Sequence, residues 1–183
     1  MRKVQWCGMA CLALAAACSE PETGVEQIEA GRPAAAAGGV EESVSGGGQF
    51  VHPDFGAMKL TFHAVRQADG TVSGRFQQHQ PAFGFIYKGD VTCFAIDLVN
   101  HRAWIGGVLT HSNDADPIAE VGDEAWFRVL DIGNNAADPD RSTFLGFEGG
   151  GGIITSEEYC QVKIWPDANA RTWPLERGNI VIH

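Results

Sequence analysis

The densest oxygen donors in this chain lie in two short stretches, SNDADPIAEVGDE (112–124) and DIGNNAADPD (131–140). The first carries Asp114, Asp116, Glu120, Asp123 and Glu124; the second carries Asp131, Asn134, Asn135, Asp138 and Asp140. Carboxylate and amide oxygens this close together are the donors calcium prefers. Neither stretch follows the D-x-[DN]-x-[DN]-G loop that ends on a bidentate Glu. Solvated acidic loops are the expectation, and no metal or cofactor is assigned. The six histidines are scattered rather than set at zinc spacing. His63 and His79 take the outward parity of strands, and His183 is the last residue. The sequence has no G-x-S-x-G elbow, H-E-x-x-H, P-loop or dinucleotide fingerprint. EGGGGI (148–153) lacks the Gly-Lys-Ser/Thr that holds phosphate and reads as a turning loop. No catalytic residue is assigned. A Ser-His-Asp set needs only to meet in space, so an uncharacterised hydrolase stays among the alternatives.

The elements that would position these residues read as strands. In AMKLTFHAV, Met58, Leu60, Phe62 and Ala64 share one parity while Lys59, Thr61 and His63 take the other. That is the period of a strand with one buried face. ADGT (68–71) follows as an Asp-Gly hairpin turn. TVSGRFQQHQ returns, Pro81 punctuates, and FGFIYKGDVTCFAIDLV gives one long strand or two split near Gly89-Asp90. Asn100-His101 turns the chain into RAWIGGVLTHS. EAWFRVLDI, STFLGFE, CQVKIW and GNIVIH complete eight or nine strands, and Thr155–Glu158 has the pattern to cap one short helical turn.

Short strands joined by regular turns argue an all-β domain. Sequential hairpins favour a single antiparallel meander of about eight strands with barrel-like closure; a β-sandwich is the alternative. In a meander the 131–140 loop falls at the end that carries the Asn100-His101 turn. Phe62, Phe76, Phe85, Trp104, Trp126, Phe127 and Phe144 could line an interior cavity for a small apolar ligand. Barrels of this size are usually filled, and core filling is preferred.

The amino terminus reads as an address. Arg2 and Lys3 precede an apolar run from Val4 to Ala17, the charged start, apolar centre and small-residue exit of a secretory signal. The stretch LALAAACSE resembles the lipobox of bacterial lipoproteins, in which small residues precede a cysteine that is joined to diacylglycerol. That pattern usually has Leu three places before the cysteine; here Ala15 holds the position and Leu14 is one place early. Cleavage after Ala15-Ala16-Ala17 by ordinary signal peptidase is the alternative.

Cysteine arithmetic bears on the choice. Of five cysteines, Cys7 and Cys11 lie within the signal, leaving Cys18, Cys93 and Cys160. Cys93 has the parity of Val91 and Ala95, and Cys160 that of Val162 and Ile164. A disulfide between Cys93 and Cys160 is expected in an oxidising compartment. It adds roughly 4 kcal/mol in the loop-entropy picture. A lipid on Cys18 accounts for the odd cysteine. Ser19, rather than Asp, resembles lipoproteins sorted onward to the outer membrane of a two-membrane cell.

The domain organisation follows: a lipoprotein signal at 1–17, a disordered Glu/Gly/Ala-rich tether at 18–48, and an all-β domain at 49–183. The full chain carries 13 Lys and Arg against 23 Asp and Glu. Within 49–183, ten basic residues spread among seventeen acidic ones form no stripe, which argues against nucleic acid. It also argues against electrostatic docking on anionic lipid. The membrane link expected here is covalent.

The stretches LTFHAVRQADGTVSGRF, KGDVTCFAID, NHRAWIGGVL, RVLDIG and RGNIVIH, with Cys160, resemble a small secreted bacterial β-domain of unknown function. The resemblance covers about 55 to 183 and implies an extracytoplasmic β fold, with no enzymatic activity and no binding site to carry over. The function expected is a lipid-anchored, non-catalytic binding or envelope-surface module, with an envelope protein or polymer as partner. The alternatives are a carrier of a small apolar ligand, a hydrolase, and a soluble periplasmic or secreted form.

Overall fold

Apolar residues at every second position produce strands, and here they produce one sheet. The computed structural model describes residues 39–133, 138–147, 152–153 and 155–183. The described residues belong to one compact unit, Ala37–His183, and residues 1–36 lie outside the described residues. So do the expected signal at 1–17, Cys18 and the tether as far as residue 38. Asn134, Asn135 and residues 148–151 are also outside them.

The strands are β1 (Val40–His52), β2 (Gly56–Gln67), β3 (Val72–Gln80), β4 (Phe85–Asp97) and β5 (Arg102–Ser112). They continue as β6 (Glu124–Leu130), β7 (Arg141–Ser142), β8 (Gly146–Phe147) and β9 (Trp173–Ile182), with one helix, α1 (Ser156–Val162), before β9. β1 to β6 pair as successive antiparallel neighbours. β6 then pairs with β7, β7 with β9, and β9 returns to β1, closing a ring of eight strands. β8 adds to β6 as a ninth. The domain is all-β, and its single antiparallel sheet takes the closed form rather than the sandwich.

The turns form where local chemistry demands them. Asp69 accepts the Thr71 N–H at 2.9 Å and Gly70 takes φ +83°, closing β2 onto β3. Asp97 Oδ1 accepts the N–H groups of Val99 and Asn100, and His101 adopts the left-handed region at φ 53°, closing β4 onto β5. The Asp131 N–H donates to the His101 carbonyl, so the second acidic loop does start beside that turn.

The ring interior is filled. Phe62 and Phe76 pack edge-on against Phe127, with ring centroids 5.2 and 5.8 Å away, and Met58, Leu60, Ile105, Leu109 and Leu145 are fully buried around them. Each large side chain so buried contributes about 1.5–3 kcal/mol. Gln78 is the polar intruder. Its Oε1 accepts the Leu145 N–H at 3.2 Å, and its Nε2 has no partner.

Four expectations are corrected. The tether expected to run to residue 48 gives way to β1 at Val40. Val44 and Phe50 are fully buried, and Gly46 and Gly48 share their parity. A Cβ on Gly46 would stand 2.6 Å from the Asn179 carbonyl, so the glycines are there because β9 passes close. CQVKIW is not a strand: Cys160 sits in α1, whose N-cap Thr155 accepts the Glu158 N–H at 3.1 Å. Val162 and Ile164 are exposed, so strand parity was the wrong frame for Cys160. STFLGFE breaks into β7 and β8. Finally, Trp104 and Trp126 face out of the ring, while their neighbours Ala103, Ile105, Ala125 and Phe127 face in.

Candidate functional site

The outward residues of β4, β5 and β6 make a wall of unusual composition: Cys93 and Ala95, then Arg102, Trp104 and Gly106, then Glu124, Trp126 and Arg128. A strand face this apolar must be covered. The cover is α1 and the segment 163–172. Cys160 is bonded to Cys93, as the cysteine count anticipated, and this ties the helix to the wall. Glu124 accepts the N–H of Ser156 at the start of the helix. Gly106 makes the close fit possible, because a Cβ there would stand 2.6 Å from Ser156 Cβ and 2.9 Å from Cys93 Sγ.

Beyond the helix, Lys163 takes the left-handed conformation at φ 53° and turns the chain back over the wall. Trp104 Nε1 donates to the Ile164 carbonyl at 2.9 Å, and Trp165 meets Trp104 edge to face at 5.5 Å. The Arg102 and Arg128 guanidinium groups lie 4.7 and 5.4 Å from the centroid of that ring. Trp165 Nε1 donates to Asn169 Oδ1, fixing the loop that carries Ala170. Tyr159 stacks on Trp126 at 5.6 Å.

Between this cover and β6–β8 lies an open cleft of about 490 Å³, within the usual ligand-pocket range of about 300–1,000 Å³. Trp126, Phe144, Phe147, Ile153 and Ile164 give it apolar walls, and Arg128, Tyr159 and Arg171 give it polar points. No carboxylate belongs to the described lining.

Arg128 is the feature that needs explaining. It is only 8% exposed, yet no carboxylate among the described residues pairs with it. Its Nη2 donates to the Ala170 carbonyl at 3.0 Å, and its Nε is enclosed without a partner. A buried guanidinium stays charged and is costly unless paired. Beside it, burial pushes the Tyr159 hydroxyl up to about 12, with the Arg128 charge acting against that shift. Tyr159 is therefore a neutral hydrogen-bond donor at ordinary pH.

A second feature adjoins the cleft at Phe144. His52, Phe55, Phe144 and Trp173 form a ring cluster, with His52 centroids 4.6, 5.1 and 4.3 Å from Phe55, Phe144 and Trp173. Burial lowers the His52 pKa, Asp54 opposing. Its Nδ1 accepts the Asp54 N–H at 3.1 Å, which holds the ring in place. Phe55 and Phe83 leave this cluster 37 and 52% exposed.

The residues singled out from the sequence behave otherwise. The acidic-loop carboxylates are engaged by the backbone: Asp114 Oδ1 accepts the Asp116 N–H, and Asp123 accepts that of Glu120. Asp140 accepts the N–H groups of Ile132, Gly133 and Ile180, and Asp131 that of Ile182. Among the described residues no group of three or more His, Cys, Asp or Glu is placed to hold a metal ion. His63 is exposed and His79 half-buried, in keeping with their outward parity. Sequence reasoning missed Arg128 and Tyr159. The available signal was an Arg flanked by Phe127 and Val129 inside an otherwise apolar strand, EAWFRVL.

No family model, curated protein or solved structure matches the chain. The functional reading therefore rests on the chemistry of the site.

Proposed function

We propose that this chain is a non-catalytic binding module of the cell envelope, exported and held at a membrane by a lipid on Cys18. Its binding site is the outer cleft, and the observation that carries this reading is Arg128, a buried cation at an open cavity with no anionic partner among the described residues. The Cys93–Cys160 disulfide supports an oxidising, extracytoplasmic address. The outer membrane is the destination in a cell with two membranes. Phe62, Phe76 and Phe127 occupy the ring interior, so small-ligand binding is better supported outside the ring than within it. Support for a hydrolase is thin, since no serine, threonine or cysteine side chain hydrogen-bonds a histidine among the described residues. The exposed Phe55 and Phe83 favour a second reading, in which the rim docks an envelope protein or polymer.

The test is native mass spectrometry of the full chain extracted from its own membranes, alongside Ile164→Trp, which fills the cleft from an exposed position. The expected result is a mass beginning at Cys18 with acyl chains and one disulfide, plus a small molecule that Ile164→Trp releases. A mass without acyl chains would make the protein periplasmic or secreted. A bound molecule indifferent to Ile164→Trp would move the site to another surface.

A further inference from the structure

We infer that the outer cleft takes a small organic anion: a carboxylate on an aromatic or aliphatic body, its charge on the Arg128 guanidinium and its body against Trp126, Phe144 and Phe147. This inference rests on the binding-module reading above and names the ligand class.

Charge is the first argument. The domain carries seventeen acidic residues against ten basic ones, yet the described cleft lining holds two arginines and no acid. The local sign is reversed where a ligand would sit. Pairing is the second. Arg128 is enclosed with the Ala170 carbonyl, a side-chain hydrogen bond with the Tyr159 hydroxyl, one aromatic face and an unpartnered Nε, a set without a counter-charge among the described residues for a guanidinium with five donors. A carboxylate entering the cleft supplies the missing counter-charge in the planar geometry a guanidinium fork matches best.

Shape and polarity are the third argument. The cavity of about 490 Å³ suits a small ring or a short chain rather than a polymer segment. Apart from Arg128, its polar groups are the Tyr159 hydroxyl, Thr143 and the exposed Arg171. The first can donate to the same carboxylate, and Arg171 stands as an entrance charge. A cationic ligand would face two like charges, and a neutral one would leave Arg128 as it is.

The test uses the native full chain with three probes of one shape: phenylbutyrate, phenylbutanol and phenylbutylamine. Affinity is read by isothermal titration for wild type, Arg128→Met, Arg171→Gln and Ile164→Trp, each first shown to keep its thermal unfolding transition. Phenylbutyrate is expected to bind about 10- to 100-fold more tightly than phenylbutanol, the scale of hydrogen bonds to charged groups. Phenylbutylamine should not bind. Arg128→Met should remove the preference for the acid, bringing the acid-to-alcohol ratio to about 1. Arg171→Gln should weaken the acid by a few-fold and flatten its salt dependence. Should Arg128→Met fail to fold, the acid-to-alcohol ratio in wild type and Arg171→Gln still decides. Equal binding of acid and alcohol, both abolished by Ile164→Trp, would overturn the anion while leaving the cleft as the binding site. No binding of any probe up to about 1 mM, the weak end of specific affinity, would overturn both.

Discussion

The two sides of the β4–β5–β6 wall bury different things. Inward lies the large cluster of Phe62, Phe76, Phe127, Ile105 and Leu109, aliphatic and aromatic, with Gln78 as a buried polar guest. Outward lies a thin cluster of Ala95, Trp104, Trp126, Ile153 and Tyr159, interleaved with Arg102 and Arg128 and held by a disulfide. The inner side has surface enough to stabilise itself. The outer side buries fewer residues, and the Cys93–Cys160 bond adds a covalent tie between α1 and the wall. The lesson is a division of labour within one strand: in β6, Ala125, Phe127 and Val129 hold the ring, while Trp126 and Arg128 face the cleft.

Four changes would break or sharpen that division. The largest is Phe127→Ala, which hollows the interior and should cost about 3–5 kcal/mol in denaturant unfolding, with binding lost alongside. A loss confined to binding would mean the interior is less decisive than its packing indicates. Next, Cys93→Ala with Cys160→Ala should cost up to about 4 kcal/mol for a closure of 67 residues. The near-ultraviolet circular dichroism from Trp104 and Trp126 should change while the far-ultraviolet strand signal persists. Loss of both signals together would make the two sides one cooperative unit.

Gly106→Val is smaller, about 1–3 kcal/mol, since a side chain there presses on Ser156 and Cys93. It should lift α1 and weaken ligand binding without altering the ring's amide protection. Smallest is Arg128→Met, within about 1 kcal/mol of wild type, because replacing a buried charge that has no carboxylate partner among the described residues by an apolar chain of similar size is close to neutral. A loss of several kcal/mol would make Arg128 a structural residue instead.

Alkaline pH bears on both sides, since burial raises the interior Tyr87 hydroxyl as well. Burial raises the Tyr159 hydroxyl to about 12 from an ordinary value near 10, so the fold favours its neutral form. That stabilisation is fully present below about pH 10 and is lost as pH rises through 10 to 12. A phenolate absorbance titration of the native chain should show Tyr159 ionising late, and Trp104→Phe, which loosens the cover, should bring it earlier.

Legibility in the sequence follows the same line. The ring was readable because Met58, Leu60, Phe62 and Ala64 alternate with polar residues and because ADGT and Asn100-His101 are turns with local chemistry. The disulfide was readable from the cysteine count. The start of β1 was not, since Gly46, Gly47 and Gly48 mimic a tether, and their fitness for a close β9 contact is a tertiary property. The cleft was hidden for a related reason. β6 is buried on both faces, so its run Ala125–Leu130 shows no alternation to separate Phe127 from Trp126 or to mark Arg128 as unusual. CQVKIW misled because apolar residues at alternate positions suit a strand, and only Thr155 betrayed the helix.

The central claim, that binding belongs to the outer side of the wall and stability to the inner, meets its most direct test in hydrogen exchange. The native full chain would be compared with and without saturating phenylbutyrate. Added protection should appear in α1, in the segment 163–172 and in β6, while the interior pairings of β2 and β3 stay unchanged. Protection centred on β2 and β3, on the Phe55 and Phe83 turns, or nowhere at all would contradict it.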